Sequence, residues 1–369
     1  MKFAIEKAAG LAALQRVAAI VNRKHTIPIM ANVLIVADSL GVRFRASDLD
    51  IESTAFAEAS VAEPGTITAK TDVLQEIFRN AADGSELVLS MADGDARMAV
   101  KSGRSRFQVA TLPAADFPTF SDDQWDASLT FQAEALAALL GRVAYAMSAD
   151  GLRYILNSTH VHAVEDGLRV VATDGHVLAY RDLRGLGDAA GMLQPICLPA
   201  STAVQFQRAL AEVKGEVTLS ISARKIRLDY GEDSILSKLL DGGYPDYARA
   251  VPKDFAGSFV VHREALASAV RRVLVMGADK SRSVKLEVDG QGILTLSAQS
   301  IEGEAADEVP TEAGAAPFVV GFNGSLLLET LASITSPTVE CRWSDSTSPT
   351  VWAEPGDLDG LSVIMPLQI

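Results

Sequence analysis

LTFQAEALAALLGRV, residues 129–143, decides how the rest of the chain is read. Leu129 and Phe131 alternate with polar neighbours as in a strand. Leu136, Leu140 and Val143 then recur at helical spacing, with Arg142 just before the last. The phrase returns twice. Phe3, Ile5, Leu14, Arg16 and Val17 repeat it near the start, and Phe259, Val261, Leu266, Val270, Arg272 and Val273 repeat it later. Three copies of one strand-then-helix opening imply three copies of one domain.

Working outward, the pattern predicts domains at 1–122, 123–253 and 254–369. Each reads as two copies of strand–helix–three strands, so the chain is six βαβββ units. Helices are expected at 7–21, 72–80, 134–147, 201–210, 263–276 and 323–331. Short turns between the strands favour antiparallel sheets, with one helix covering each unit. The fold class is therefore α+β: three repeated domains with antiparallel sheets on one side and helices on the other. Equal domains joined head to tail suit a curved or closed array.

Composition narrows the function. Apolar residues are 48% and charged ones 22%, which suits a globular protein with a substantial core. No apolar run is long enough to cross a bilayer, and the first residues carry no basic lead before an apolar stretch. The expectation is a cytoplasmic protein without membrane contact. Cys197 and Cys341 sit in no redox or metal motif and read as buried free thiols.

A formal charge of −14 argues against nucleic acid only if charge is evenly spread. It is not. Arg16, Lys24, Arg79, Arg142, Arg208, Arg271, Arg272, Lys280 and Arg282 lie on or just after the expected helices. Glu302, Glu304, Asp307, Glu308, Asp345, Glu354, Asp357 and Asp359 fall in strands and loops. Helices carrying Arg and Lys suit a sequence-blind contact with duplex phosphates. A scaffold that binds proteins alone fits the same repeat.

Catalytic patterns do not appear. There is no nucleophile elbow, no phosphate-cradling glycine loop and no dinucleotide fingerprint. His160 and His162 share a strand face but lack a third ligand at metal spacing. Asp174-Gly175-His176 reads as a turn. No cofactor or metal is expected.

Four phrases carry a resemblance: SGRSRFQVATLPAADFP at 102–118, VATDGHVLAY at 171–180, SKLLDGGYPDYARAVPK at 237–253 and VIMPLQI at 363–369. With the threefold repeat, they resemble the bacterial DNA polymerase III beta subunits, the sliding clamps, over the whole chain and in the same order. The resemblance implies a ring-shaped head-to-tail homodimer around double-stranded DNA, helices inside and sheets outside. It also implies a non-catalytic processivity factor of the polymerase III holoenzyme. Such a factor tethers the polymerase alpha subunit, is loaded by a clamp loader, and serves other proteins bearing a clamp-binding motif.

Carried over by motif, a partner-peptide pocket would use Leu156, Thr173, Gly175, His176, Val177, Leu178, Pro245, Arg249, Asn323, Val363, Met365, Pro366 and Leu367. Val177 stands where many members have Arg, and the chain ends Leu-Gln-Ile in place of a basic penultimate residue. Family DNA contacts map onto Lys24, where Arg is common, and onto Arg153 and Tyr154. Arg79, Arg142, Arg208, Arg272, Lys280 and Arg282 would join them. The dimer edge would set Lys101, Arg104, Arg106 and Phe107 of one chain against Val275, Met276, Glu302 and Glu304 of the other. Opposite charges on the two edges favour head-to-tail joining.

Overall fold

Strand and helix alternate as the repeat requires, and the helices take their faces from apolar spacing. A computed structural model describes residues 1–21, 26–91, 94, 96–121, 124–187, 191, 193–277, 282–312 and 316–368. Six helices of nine or more residues occur among them: α1 (Lys7–Ala18), α2 (Thr71–Asn80), α3 (Ala133–Gly141), α4 (Ala200–Ala211), α5 (Arg263–Val273) and α6 (Gly324–Ser333). In α2, Leu74, Ile77 and Phe78 are buried at helical spacing, and Asp72 and Arg79 occupy the ends that suit the helix dipole. α1 packs on α2 through Gly10, where an added Cβ would sit 2.2 Å from the Phe78 ring.

α3 and α5 stop short of their expected ends. Gly141 terminates α3 before a separate turn at Ala144–Ala146, and α5 passes into a tight turn at Leu274–Met276. A short strand not foreseen from its polar sequence, Ser60–Glu63, flanks Lys2–Glu6.

The contacts divide the chain into two compact units. One comprises Met1–Leu136 with Val204–Leu239, the other Ala137–Ala203 with Leu240–Ile369. The first holds a 13-stranded sheet in the order Ala127–Gln132, Glu216–Ile221, Lys225–Tyr230, Asp233–Lys238, Ile51–Ala57, Gly41–Ser47, Asn32–Asp38, Gly65–Lys70, Ser105–Leu112, Arg97–Ser102, Glu86–Ser90, Lys2–Glu6, Ser60–Glu63. The second holds an eight-stranded sheet, Ile196–Pro199, Ser158–Val164, Gly167–Thr173, Val177–Arg184, Gly360–Ile364, Thr350–Ala353, Thr338–Trp343, Gly257–His262. It also holds a four-stranded sheet, Gly303–Pro310, Ile293–Ser300, Ser283–Val288, Phe318–Asn323. All recorded pairings between these strands are antiparallel.

Sheets therefore run across the expected domain boundaries. Asp233–Lys238 continues the sheet of Ile51–Ala57, with Ser234 opposite Thr54. Gly360–Ile364 continues the sheet of Val177–Arg184, with Leu361 opposite Tyr180. Each half of the middle repeat thus belongs to a neighbour's sheet. Among the strand edges left unpaired in the described residues, two carry the expected dimer residues. Ser105–Leu112 meets Gly65–Lys70 only through Thr111 and Leu112, and Gly303–Pro310 pairs on one side alone among the described residues.

Aromatic packing fixes the second unit's core. Phe318 stacks on Trp343 at 4.4 Å, while Phe259 and Phe322 meet the buried Trp352 edge-on. Cys197 and Cys341 are buried and free, and burial pushes both thiols above their ordinary range. No helix among the described residues is long and apolar enough to cross a membrane.

Candidate functional site

Most of the expected pocket residues come together around one hairpin turn. Gly167–Thr173 and Val177–Arg184 are joined by Asp174-Gly175-His176, and Gly175 takes φ +93°, a conformation that glycine reaches without a Cβ penalty. The Asp174 carboxylate accepts from the amides of His176 (2.7 Å) and Val177 (2.9 Å). The Thr173 hydroxyl accepts from Gly175 N–H and donates to the Val177 carbonyl at 2.7 Å. Thr173 and Asp174 therefore build the turn, and the exposed His176 imidazole stands at its tip.

The tail closes over this turn. Met365 N–H donates to the His176 carbonyl and Leu367 N–H to the Gly321 carbonyl, both at 2.8 Å. The half-exposed Met365 and the partly buried Pro366 and Leu367 are so laid between the hairpin and strand Phe318–Asn323. A cleft of about 560 Å³ opens there, lined by Val319, Val320, Gly321, Ser346, Thr347, Pro366, Leu367 and Gln368.

An apolar cluster lies on the strands that lead into the turn and the tail. Leu178 (4% exposed) and Val363 (3%) cluster with Val171 and Val351, and Tyr180, Tyr244, Tyr247, Val251 and Leu361 pack around them. Burial of each aliphatic side chain contributes roughly 1.5–3 kcal/mol, so these residues hold the fold. Val177 is 1% exposed and belongs to the core. Leu156 is partly buried, with its amide on the Arg153 carbonyl. Asn323 caps α6, its side-chain oxygen accepting from Ser325 and Leu326. Pro245 and Arg249 are exposed on the 240–251 segment, and Arg249 pairs with Asp246 at 2.9 Å.

Three family models match in succession: the DNA polymerase III beta subunit N-terminal domain over residues 1–121, its central domain over 130–246 and its C-terminal domain over 248–368.

The chain belongs to the DNA polymerase III beta subunit family.

It is similar to the beta sliding clamp of Caulobacter vibrioides, at 38% identity over the whole of both chains. Among solved structures, it resembles a DnaN sliding clamp from Pseudomonas aeruginosa bound to griselimycin, at 32% identity and a TM-score of 0.95. A C. crescentus beta sliding clamp with bound PEG gives 37% and 0.95, and both matches cover all of each chain. The chain is thus a processivity clamp for DNA polymerase III, built of three clamp domains and without catalytic activity of its own. Clamps of this family form dimers, encircle DNA, and bind the polymerase and other clamp-binding proteins.

The clamp's cationic residues divide into two groups. The Arg that recurs in each copy of the opening phrase is ion-paired every time. Arg16 meets Asp233 at 2.6 Å, Arg142 meets Glu354 at 2.9 Å, and Arg272 meets Asp307 at 2.5 Å. Arg142 also donates to the Thr335 hydroxyl at 2.5 Å, and its side chain is only 21% exposed. The sequence reading counted Arg142 among the DNA contacts; in the structure its guanidinium pairs with a carboxylate far along the chain. It works first as a strut between α3 and the 350–360 region. Asp307 is held below the usual carboxylate range by Arg272, so that pair also ties helix to strand, although Arg272 stays well exposed.

Arg79 pairs with Glu76 but remains half-exposed, and Arg208 is exposed beside a cleft of about 890 Å³. Arg153 donates to the Asp174 carbonyl at 3.1 Å, and the neighbouring Tyr154 ring is exposed. Arg282 donates to the Ser325 hydroxyl at 2.9 Å. Lys24 and Lys280 lie outside the described residues.

Replacing Arg142 by Ala removes the cation from the partly buried Glu354 carboxylate and leaves it two hydrogen bonds from Thr335. It is expected to destabilise the clamp by about 1–2 kcal/mol, the partial exposure having been allowed for. A lowered thermal midpoint with unchanged retention on DNA checks the strut role.

Of the expected dimer residues, Lys101, Arg104, Arg106 and Phe107 lie on the open strand or beside it, with Phe107 39% exposed. Glu302 and Glu304 lie at the other open edge, flanked by Met276 and by Val275 at 76% exposure.

The sequence reading did not name Tyr244, Tyr247 and Val251, which pack on the Leu178–Val363 cluster, or Ser346 and Thr347, which line the cleft. The two tyrosines were in view, within GGYPDYARAVPK. Ser346 and Thr347 lie in a polar loop whose sequence gives no such signal.

Proposed function

We propose that the two open edges join head to tail between two copies of the chain, in a register that the chain repeats internally. The observation that carries this is the equality of the two internal junctions. Thr54 and Tyr180 hold equivalent places, because Ser47 pairs with Glu52 as Thr173 pairs with Leu178. Thr54 faces Ser234 and Tyr180 faces Leu361. In the third copy Gln299 pairs with Glu304, so the equivalent residue is Ala306. In the first copy the hairpin Ser102–Ser105 matches Tyr230–Asp233, which puts Arg106 in the place of Ser234.

Arg106 therefore faces the partner's Ala306, Phe107 the partner's Ala305, and Arg104 the partner's Glu308. On the same strand face, Arg106 lies diagonally between the partner's Glu304 and the partner's Glu308. Phe107 takes the place of the buried Ile235, and Val275 and Met276 supply its apolar cover. Continuing the sheet also pairs the exposed sides of these two strands.

Within this dimer we assign domains 1–122, 123–253 and 254–369. Arg79, Arg153, Tyr154, Arg208 and Arg282, with Lys24 and Lys280, form the DNA-facing set. Sequence-blind phosphate contact needs charge and no base-reading element. The tail, the 173–178 turn and the 240–251 segment form the partner pocket: an apolar floor for side chains, with exposed backbone and Arg249 for polar groups. Griselimycin, carried by a related clamp, is assigned to the same pocket. The role in replication supports a cytoplasmic location.

Cysteine cross-linking tests the register. Phe107→Cys combined with Ala305→Cys is expected to give a covalent dimer on oxidation, since facing strand residues approach disulfide distance. Phe107→Cys with Glu308→Cys should give little. The buried Cys197 and Cys341 stay out of the reaction. Cross-linking in the second pair but not the first would overturn the register.

A further inference from the structure

The 240–251 segment carries Pro245 and Arg249, yet its regular structure is one short turn, Tyr247–Ala250. Two side chains of strand Ser158–Val164 hold it. His160 and His162, two residues apart, share a strand face. The His160 ring stacks on Tyr244 at 4.7 Å, with the planes 5° apart. His162 Nε2 lies 2.8 Å from the Tyr247 hydroxyl, and His162 Nδ1 lies 2.8 Å from the Ala163 carbonyl.

A carbonyl only accepts, so Nδ1 carries the proton and Nε2 accepts from Tyr247. Next to this pair, Arg169 grips Asp182 with two hydrogen bonds of 2.6 and 2.8 Å and lies over the Tyr180 ring at 4.0 Å. On their other side, Tyr244 and Tyr247 pack on the cluster containing Leu178 and Val363. The tyrosines are thus set between the histidine pair and the pocket floor.

We propose that His160 and His162 are positioning residues for the partner pocket, fixing Tyr244 and Tyr247 so that Pro245 and Arg249 are already in the pose a ligand meets. This rests on the pocket assignment above. A segment pre-organised in its bound pose loses less freedom on binding. Burial and the neighbouring His162 hold the His160 imidazole down to about 4, which keeps the stack uncharged at neutral pH.

Griselimycin titrations of the full-length dimer at pH 7.5 test it. His162→Leu and Tyr247→Phe are each expected to weaken binding about fivefold, the effect of one lost hydrogen bond. The double variant should be no weaker than either single one, since both remove one interaction. His162→Gln, whose amide oxygen accepts from Tyr247, should return to near the wild-type affinity. A merely structural role predicts no such rescue. Unchanged affinity in both Tyr247→Phe and His162→Leu, or His162→Gln as weak as His162→Leu, would overturn the proposal. Deletion of 365–369 is the control. If it leaves binding intact, the pocket assignment fails and takes the proposal with it. If it abolishes binding while the histidine and tyrosine variants bind normally, only the positioning role fails.

Discussion

Replacing both Arg104 and Arg106 by Glu is expected to convert the dimer to monomers at micromolar concentration. In the proposed register, Arg104→Glu sets a carboxylate directly against the partner's Glu308. Arg106→Glu sets another between the partner's Glu304 and the partner's Glu308. Like charges juxtaposed at an interface cost several kcal/mol, and a two-chain ring carries the clash at both of its joints. The dimer dissociation constant should rise by at least about a thousandfold. Sedimentation over a dilution series reads this directly. Adding Glu304→Arg and Glu308→Arg should restore much of the dimer, and a double variant that remains dimeric at nanomolar concentration would remove the edge assignment.

The second large effect is expected from deleting 365–369. Two backbone hydrogen bonds tie this tail to the His176 and Gly321 carbonyls, and Pro366 and Leu367 form one wall of the cleft. Without the tail, the cleft loses the wall formed by Pro366, Leu367 and Gln368. Griselimycin affinity is expected to fall by about a hundredfold or more, from lost apolar contact and lost shape. The tail takes no part in the open edges, so the sedimentation of the dimer should not change. Retained affinity would show that the ligand sits elsewhere.

These two variants separate what the chain reveals from what it conceals. The repeated opening phrase exposes the threefold plan, because period and apolar spacing are local. Helix ends are less visible: Gly141 stops α3 although Val143 keeps the apolar rhythm. The partners of Arg16, Arg142 and Arg272 are hidden for a different reason. Asp233, Glu354 and Asp307 lie far along the chain, and recurrence of a cation does not tell a bridged guanidinium from a free one.

Strand alternation likewise tells which face is buried, not which strand comes next. The continuation of one repeat's sheet into another could not be read before the registers were known. At the pocket, the tail and the 173–178 turn were legible as motifs. The pairing of His160 with Tyr244 and of His162 with Tyr247 was not, because nothing local relates a strand's outer face to a loop some 85 residues on.

Retention on DNA tests the central claim most directly. The clamp, loaded by its clamp loader onto a closed circular duplex, should remain bound through gel filtration at raised salt, because a ring holds DNA topologically and its phosphate contacts need not be strong. Cutting the circle once should release it. Loss from the circle and the linear duplex alike, or equal retention on both, would contradict the account.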